Sequence, residues 1–202
     1  MNKQDSSSIA SPEGALSFLF GIFTLMMWYV ALFPPKDPPT LFSIGLMWLV
    51  LSTGAMIASL INLIRGSDRG NTNLLATVLL GFLPGINTLV TWSAVTLQLT
   101  YKPVVVGVVY LIGSFFCFGA AISRWDKPTY IWLRIFSIAV GFLLVGFGDL
   151  LTSQSLMVVG GWFLFLYAML SFYYGLSKLY PLYGFTLPQG SSLKAWLRRD
   201  QA

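Results

Sequence analysis

Six long apolar runs constrain the fold of this chain more than any other feature. The runs are Gly14–Leu32, Leu41–Ile64, Leu74–Leu99, Val104–Ile122, Tyr130–Leu151 and Leu156–Leu179. Each is long enough to cross a bilayer as a helix, which takes about 20 mostly apolar residues. Charged residues make up 9% of the chain, whereas a soluble domain carries about 25%. We therefore predict an all-α fold, a polytopic membrane protein with a bundle of six transmembrane helices.

The two ends of the chain are more polar than the middle. We expect a polar N-terminal tail (1–13), one six-helix transmembrane domain (14–182) and a basic C-terminal tail (183–202). Because the connections between the runs are short, helices adjacent in sequence are expected to pack against each other. The C-terminal tail either forms a short helix on lipid head groups or stays a frayed, soluble segment. That helix would contain Leu193, Lys194, Trp196, Leu197, Arg198 and Arg199.

The basic residues predict the orientation in the membrane. We call the face that carries the N-terminus side one and the opposite face side two. Side two has Lys36 and Lys102, and the other ten of the 12 lysines and arginines belong to side one: Lys3, Arg65, Arg69, Arg124, Lys127, Arg134, Lys178, Lys194, Arg198 and Arg199. Basic residues concentrate on the cytoplasmic side, so we expect a plasma (inner) membrane protein with both termini cytoplasmic. The net charge of +5 then favours contact with membrane lipid, and no nucleic-acid-binding pattern accompanies it.

Residue types that support catalysis are scarce. The chain has no histidine, and its one cysteine, Cys117, lies in the fourth run. The sequence has no nucleophile–base set and no phosphate-binding glycine loop, so we predict no enzyme activity, no catalytic residues, no cofactor and no metal site. Asp149 is the one acid within a predicted run, and an ionisable group there marks a functional site by default. It is either a proton-binding site or a group at a helix end that reaches water.

The third run is interrupted in its middle by Pro84-Gly85. Proline removes a backbone donor and clashes with the preceding turn, which predicts a kink near residues 80–81. Unpaired backbone groups cannot face lipid, so the break is expected to face the bundle interior. Asn87 and Thr88 follow at once and would supply polar groups to a solute path. The alternative is a packing kink whose freed groups bond Thr88 or Thr91.

Three segments resemble the acetate uptake transporter family, the succinate–acetate permeases and their relatives. The strongest is "GGWFLFLYAMLSFYYGLSKLYPLYGFTLPQG", from Gly160 to Gly190, whose glycine-rich start, tyrosine and closing "LPQG" match the end of the family. "GNT" at Gly70–Thr72 is a second match. "SPEGALSFLFG" at Ser11–Gly21 is similar to the family's entry motif, mainly through Pro12 and Phe20-Gly21. The resemblance covers the six predicted helices in order.

This resemblance implies a function and a constriction. The family moves acetate and related short monocarboxylates, usually with protons, as homo-hexamers in which each protomer has its own pore. Its apolar constriction maps onto Phe20 in the first helix and Ile138 in the fifth. The position in the third helix, a tyrosine in the family, maps onto Leu80 or Gly81. Because this chain lacks that tyrosine, the resemblance leaves its range of substrates open.

The same mapping implies the polar groups that would offset the desolvation of a small carboxylate near the constriction. They are Thr24, Asn71, Thr72, Asn87 and Thr88. Passage of the protonated acid avoids most of the cost of desolvating a charge, and an apolar ring slows ion leak by excluding water. Two other functions stay open: a pore for neutral solutes such as ammonia or urea, and a membrane protein that assembles or senses without transport.

Overall fold

The structure is a computed structural model that describes residues 12–67, 69–192 and 194. Nearly all of the predicted N-terminal tail lies outside the described residues, including Lys3. So does most of the predicted lipid-binding helix: Leu193, Trp196, Leu197, Arg198 and Arg199.

The described part of the chain contains six helical segments long and apolar enough to span a membrane, which confirms the predicted all-α, six-helix fold. Five of them are single helices, and the third is assembled from two helices and a short π-helical segment between them. The elements are α1 (Glu13–Leu32), α2 (Pro38–Ile64), α3 (Arg69–Thr77), the π segment (Val78–Phe82), α4 (Leu83–Thr96), α5 (Val104–Ile122), α6 (Thr129–Leu151), α7 (Gln154–Leu179) and a short 3-10 helix (Tyr180–Tyr183).

The predicted bounds differ from the observed ones mainly where polar residues take part in a helix. The second helix begins at Pro38 rather than Leu41, because proline suits a first turn and Asp37 caps it. The Asp37 carboxylate accepts a hydrogen bond from the Thr40 backbone N–H at 3.0 Å. The third span starts at the polar end of α3, several residues before the predicted Leu74. It ends before Gln98, whose left-handed backbone (φ 55°) turns the chain away.

The packing order corrects one expectation. The helix α1 packs most extensively on α7, the last helix in the sequence, and makes a much smaller contact with its sequence neighbour α2. The helices α7, α6 and α5 follow one another in space, while α2 packs on α3 and α4. A short connection therefore does not force α1 to pack along α2, since it joins only the ends of the two helices.

The crossing of α5 and α6 is a close approach of two helix backbones that depends on glycine on both sides. A Cβ on Gly107 would lie 2.8 Å from the backbone oxygen of Gly146, and a Cβ on Gly146 would lie 2.8 Å from that of Gly107. Small residues at such crossings are the usual means of packing membrane helices. The crossing lies one turn from Asp149, which is thereby held against α5.

The π segment lies at the centre of the bundle, where it contacts α1, α2 and α5. The Leu83 N–H donates to the Val78 carbonyl, five residues back, so the chain is widened just before Pro84. Leu80 is fully buried there. A Cβ on Gly81 would collide with the Ser52 hydroxyl of α2, so glycine permits the widened turn to sit against α2. The predicted break at residues 80–81 falls within this segment.

Candidate functional site

A cavity of about 140 Å³ enters the bundle from side one. Its inner end is apolar and is formed by Leu16, Phe20, Leu80, Ile138 and Phe142. Its outer part is polar and charged, with Glu13, Thr72, Asn73, Arg124, Lys127 and Arg134. We call this the side-one cavity; it reaches from the helix ends to the middle of the membrane span.

A second cavity, of about 70 Å³, enters from the opposite end of the bundle. Its inner wall includes Met27, Trp48, Tyr110, Val145 and Leu164, and its polar groups are Asn87, Thr88 and Asp149. We call this the side-two cavity. Trp48 lines this cavity, and its indole Nε1 is buried without a hydrogen-bond partner among the described residues.

An apolar barrier separates the two cavities on α1 and α6. On α1 the lining passes from Phe20 to Met27, and on α6 it passes from Phe142 to Val145. At 1.5 Å per residue these gaps correspond to about 5–10 Å. Phe23 fills the gap on α1 and is fully buried. The rings of Tyr110 and Phe142, one from each cavity, stack with centroids 5.2 Å apart.

The three residues predicted for the constriction come together. Phe20, Leu80 and Ile138 all line the inner end of the side-one cavity, and each is nearly or fully buried. They belong to α1, the π segment and α6, which the sequence separates widely. Gly81, the other possible match in the third helix, packs against Ser52 and does not line this cavity.

The predicted polar lining is only partly assembled. Thr72 lines the side-one cavity, and Asn87 and Thr88 line the side-two cavity. Asn71 is exposed and lines neither cavity; Asn73 takes that place. Thr24 also lines neither; it is fully buried, and its hydroxyl donates within α1 to the Phe20 and Gly21 carbonyls at 3.0 and 3.1 Å.

The residues around the helix break divide between packing and lining. Pro84 lines the side-two cavity, whereas a Cβ on Gly85 would lie 3.0 Å from the Trp48 side chain, so Gly85 serves the packing of α4 on α2. The Thr88 hydroxyl donates to the Pro84 carbonyl and the Thr91 hydroxyl to the Asn87 carbonyl, each at 2.8 Å. The acceptor carbonyls belong to Pro84 and to a residue after it. Neither hydroxyl therefore bonds to the carbonyls before Pro84, which are the ones that the proline leaves without a backbone donor.

Asp149 lies inside the bundle. Its side chain is 6% exposed and lines the side-two cavity together with Tyr110. Beyond this cavity, the Tyr101 hydroxyl of the connecting loop donates to the Asn87 side-chain carbonyl at 2.8 Å. Burial and, to a lesser degree, the negative charge of Asp149 raise the pKa of Tyr101. The cavity therefore holds an acid next to hydroxyl and amide groups.

Arg134 is the functional candidate that the sequence analysis did not single out. Its guanidinium stacks on the Tyr174 ring, with Cζ 4.1 Å from the ring centroid, and it lines the side-one cavity. The Tyr174 hydroxyl in turn donates to Glu13 Oε2 at 3.5 Å. The sequence carries a signal for this residue, because an arginine inside an apolar run is rare and usually functional.

No protein-family model matches the chain, and no curated protein sequence matches it. A solved structure does match: the bacterial acetate channel SatP aligns with a TM-score of 0.68, over 91% of this chain and 100% of that chain, at 18% sequence identity. At this identity the likeness establishes the fold. This chain is an integral membrane protein with the six-helix fold of that channel.

Proposed function

We propose that this protein is a transmembrane channel or transporter for acetate and related small monocarboxylates, and not an enzyme. The observation that carries the proposal is the pair of cavities that enter from opposite ends and meet at one apolar barrier. A path interrupted by a short apolar barrier allows a small solute to pass while it excludes a continuous column of water. The structural neighbour described as an acetate channel supports the same class of solute.

The side-one cavity favours an anionic solute. Three cations, Arg124, Lys127 and Arg134, line it against one carboxylate, Glu13. A charged lining with low-dielectric walls concentrates ions of opposite sign at a cavity mouth. A neutral solute such as urea would gain nothing from this arrangement, so the charge favours the carboxylate hypothesis over the neutral pore.

Proton coupling is part of the proposal. A carboxylate that crosses the barrier of Phe20, Leu80 and Ile138 loses its hydration without a charged partner, which is costly. Protonation of the acid removes most of that cost. Asp149, which lines the far cavity, is the proposed proton-binding group, because it is the one acid within the spans that faces the path beyond the barrier.

We further propose a plasma-membrane location with both termini cytoplasmic, as the distribution of lysine and arginine favours. The proposed assembly is a homo-hexamer that contacts membrane lipid. Apolar side chains on the outer faces of the helices support burial in lipid or against other protomers, among them Val50, Ile57, Val105, Ile112 and Phe115. Tags at the termini should be accessible from the cytoplasm alone, and labelling from outside intact cells would contradict this orientation.

The deciding experiment is a flux assay on purified protein in liposomes. We expect uptake of labelled acetate well above that of protein-free liposomes, and no comparable uptake of labelled urea or release of ammonia. Rapid urea or ammonia movement without acetate movement would establish the neutral pore instead. Absence of all three fluxes in protein shown to be folded would leave the assembly or sensing function.

A further inference from the structure

The guanidinium of Arg134 is placed unlike the other cations of the side-one cavity. Its Nε is buried and has no hydrogen-bond partner among the described residues. Lys127, by contrast, is exposed at the mouth and pairs with Asp126 at 3.5 Å. A buried donor without an acceptor costs free energy unless something else satisfies it.

We propose that Arg134 is the site that binds the substrate carboxylate in the side-one cavity, with the alkyl end of the substrate against Phe20, Leu80 and Ile138. This inference rests on the proposed function and adds the binding residue and the substrate class. Arginine binds a carboxylate through two parallel N–H···O bonds, which gives both strength and orientation.

Tyr174 orients the guanidinium for this contact. The guanidinium carbon lies 4.1 Å from the centroid of the Tyr174 ring, and Tyr174 is itself 6% exposed and held in α7. A guanidinium stacked on an aromatic face keeps its N–H groups at its edge, where they remain available to a carboxylate. Tyr174 is therefore a positioning residue, which acts through Arg134.

The spacing along α6 fits a short amphiphilic acid. Arg134 and Ile138 are one helical turn apart and line the same cavity, and the rise between them is about 6 Å. A carboxylate at the guanidinium thus places a short alkyl group at the apolar inner end. A dicarboxylate would place its second charge there without a partner, which is unfavourable. The site should prefer monocarboxylates over succinate.

The test is a binding titration on the full chain in lipid nanodiscs. Saturation-transfer NMR with acetate, butyrate and succinate measures binding without requiring transport. We expect saturable acetate and butyrate binding, weaker succinate binding, and a loss of acetate affinity of about tenfold or more in Arg134→Gln, as the removal of a charge-assisted bidentate contact predicts. Arg134→Lys keeps the charge and should restore part of the affinity.

Arg65→Gln is the matched control. Arg65 is the C-cap residue of α2 at the same end of the bundle, and its buried Nη1 also has no hydrogen-bond partner among the described residues, but Arg65 does not line either cavity. It should bind acetate like the parent. An equal loss of acetate affinity in both variants would attribute the effect to the positive charge of side one and would overturn a specific contact with Arg134. Parent-like affinity in a folded Arg134→Gln would also overturn the proposal.

Flux measured on the same purified variants after reconstitution in liposomes separates the two proposals. If the parent transports acetate while Arg134→Gln has an unchanged half-saturation concentration, the binding site is wrong and the proposed function stands. If the parent binds acetate through Arg134 but moves none across the membrane, the binding site stands and the transport function is wrong.

Discussion

The side-one and side-two cavities differ in size, in charge and in how their polar groups are held. The side-one cavity is the larger, about 140 Å³ against about 70 Å³, and its charged lining is mainly cationic. Among the described residues, Asp149 is the one charged residue that lines the side-two cavity. A carboxylate anion therefore meets cationic side chains in the side-one cavity, whereas it meets the carboxyl group of Asp149 in the side-two cavity. On the proposed function, the two ends of the path perform different tasks: capture of a carboxylate at side one and exchange of a proton at side two.

Substitutions in the barrier between the cavities are expected to have the largest effects, on both the free energy of unfolding and ion leak. Leu80 is fully buried at the centre of the bundle, so Leu80→Ala should lower the free energy of unfolding by about 2–5 kcal/mol. It should also join the two cavities and raise ion leak through liposomes. Denaturant unfolding in detergent and a dye-based leak assay measure the two effects. Leu75→Ala, on the same span but 38% exposed, is the control and should change both far less.

The second prediction concerns the acid of the side-two cavity. Asp149→Asn keeps the size of the side chain but cannot take up and release a proton. Acetate uptake, normalised to the concentration of the protonated acid, should lose its remaining dependence on pH. Asp126→Asn, at an exposed position outside the cavity, should retain it. A pH profile in Asp149→Asn identical to that of the parent would remove the functional difference between the two ends.

The helix break gives a smaller effect. Pro84→Ala restores a backbone donor next to the π segment, and one backbone hydrogen bond contributes about 0.5–1.5 kcal/mol. A more regular helix should narrow the side-two cavity and reduce acetate flux by up to about tenfold. Pro39→Ala, in the first turn of α2 where no donor is needed, should not change the flux. If both variants transport like the parent, the break serves packing alone.

The smallest expected effect concerns the titration of Asp37. This acid also lies on side two, but it is exposed, whereas Asp149 is buried. Hydrogen bonds from the side chain and then the backbone N–H of Thr40 lower its pKa below the ordinary value of 3.8. A carboxylate with a lowered pKa stabilises the folded state above its unfolded pKa, and this stabilisation is lost as the pH falls through the folded pKa. NMR titration should place the Asp37 midpoint below 3.8. A midpoint at or above that value would contradict the cap.

Hydropathy and helix signals were sufficient to predict the six spans, because membrane helices require long apolar runs. They were also sufficient to locate the distortion before Pro84, since proline always lacks the donor. The packing of α1 on α7 was not predictable from loop lengths, because it depends on side-chain contacts between distant segments.

For the candidate site, the family resemblance placed Phe20, Leu80 and Ile138 in one lining. It did not predict which hydroxyls and amides face the path. Thr24 lines neither cavity. Asn71 and Asn73 face different surroundings, because two residues along α3 correspond to about 200° around its axis. A rotation of one helix about its axis by a fraction of a turn determines whether such a side chain faces the path. The role of Arg134 likewise depends on Tyr174, which lies 40 positions away in the sequence.

The central claim, that two cavities at opposite ends belong to one solute path, is tested most directly by cysteine accessibility. In a Cys117→Ser background, Thr72→Cys places a thiol in the side-one cavity and Asn87→Cys places one in the side-two cavity. A charged, membrane-impermeant thiol reagent should modify the first from side one alone and the second from side two alone. Either modification should block acetate flux. Reaction of both thiols from the same side, or full modification with unchanged flux, would contradict the account.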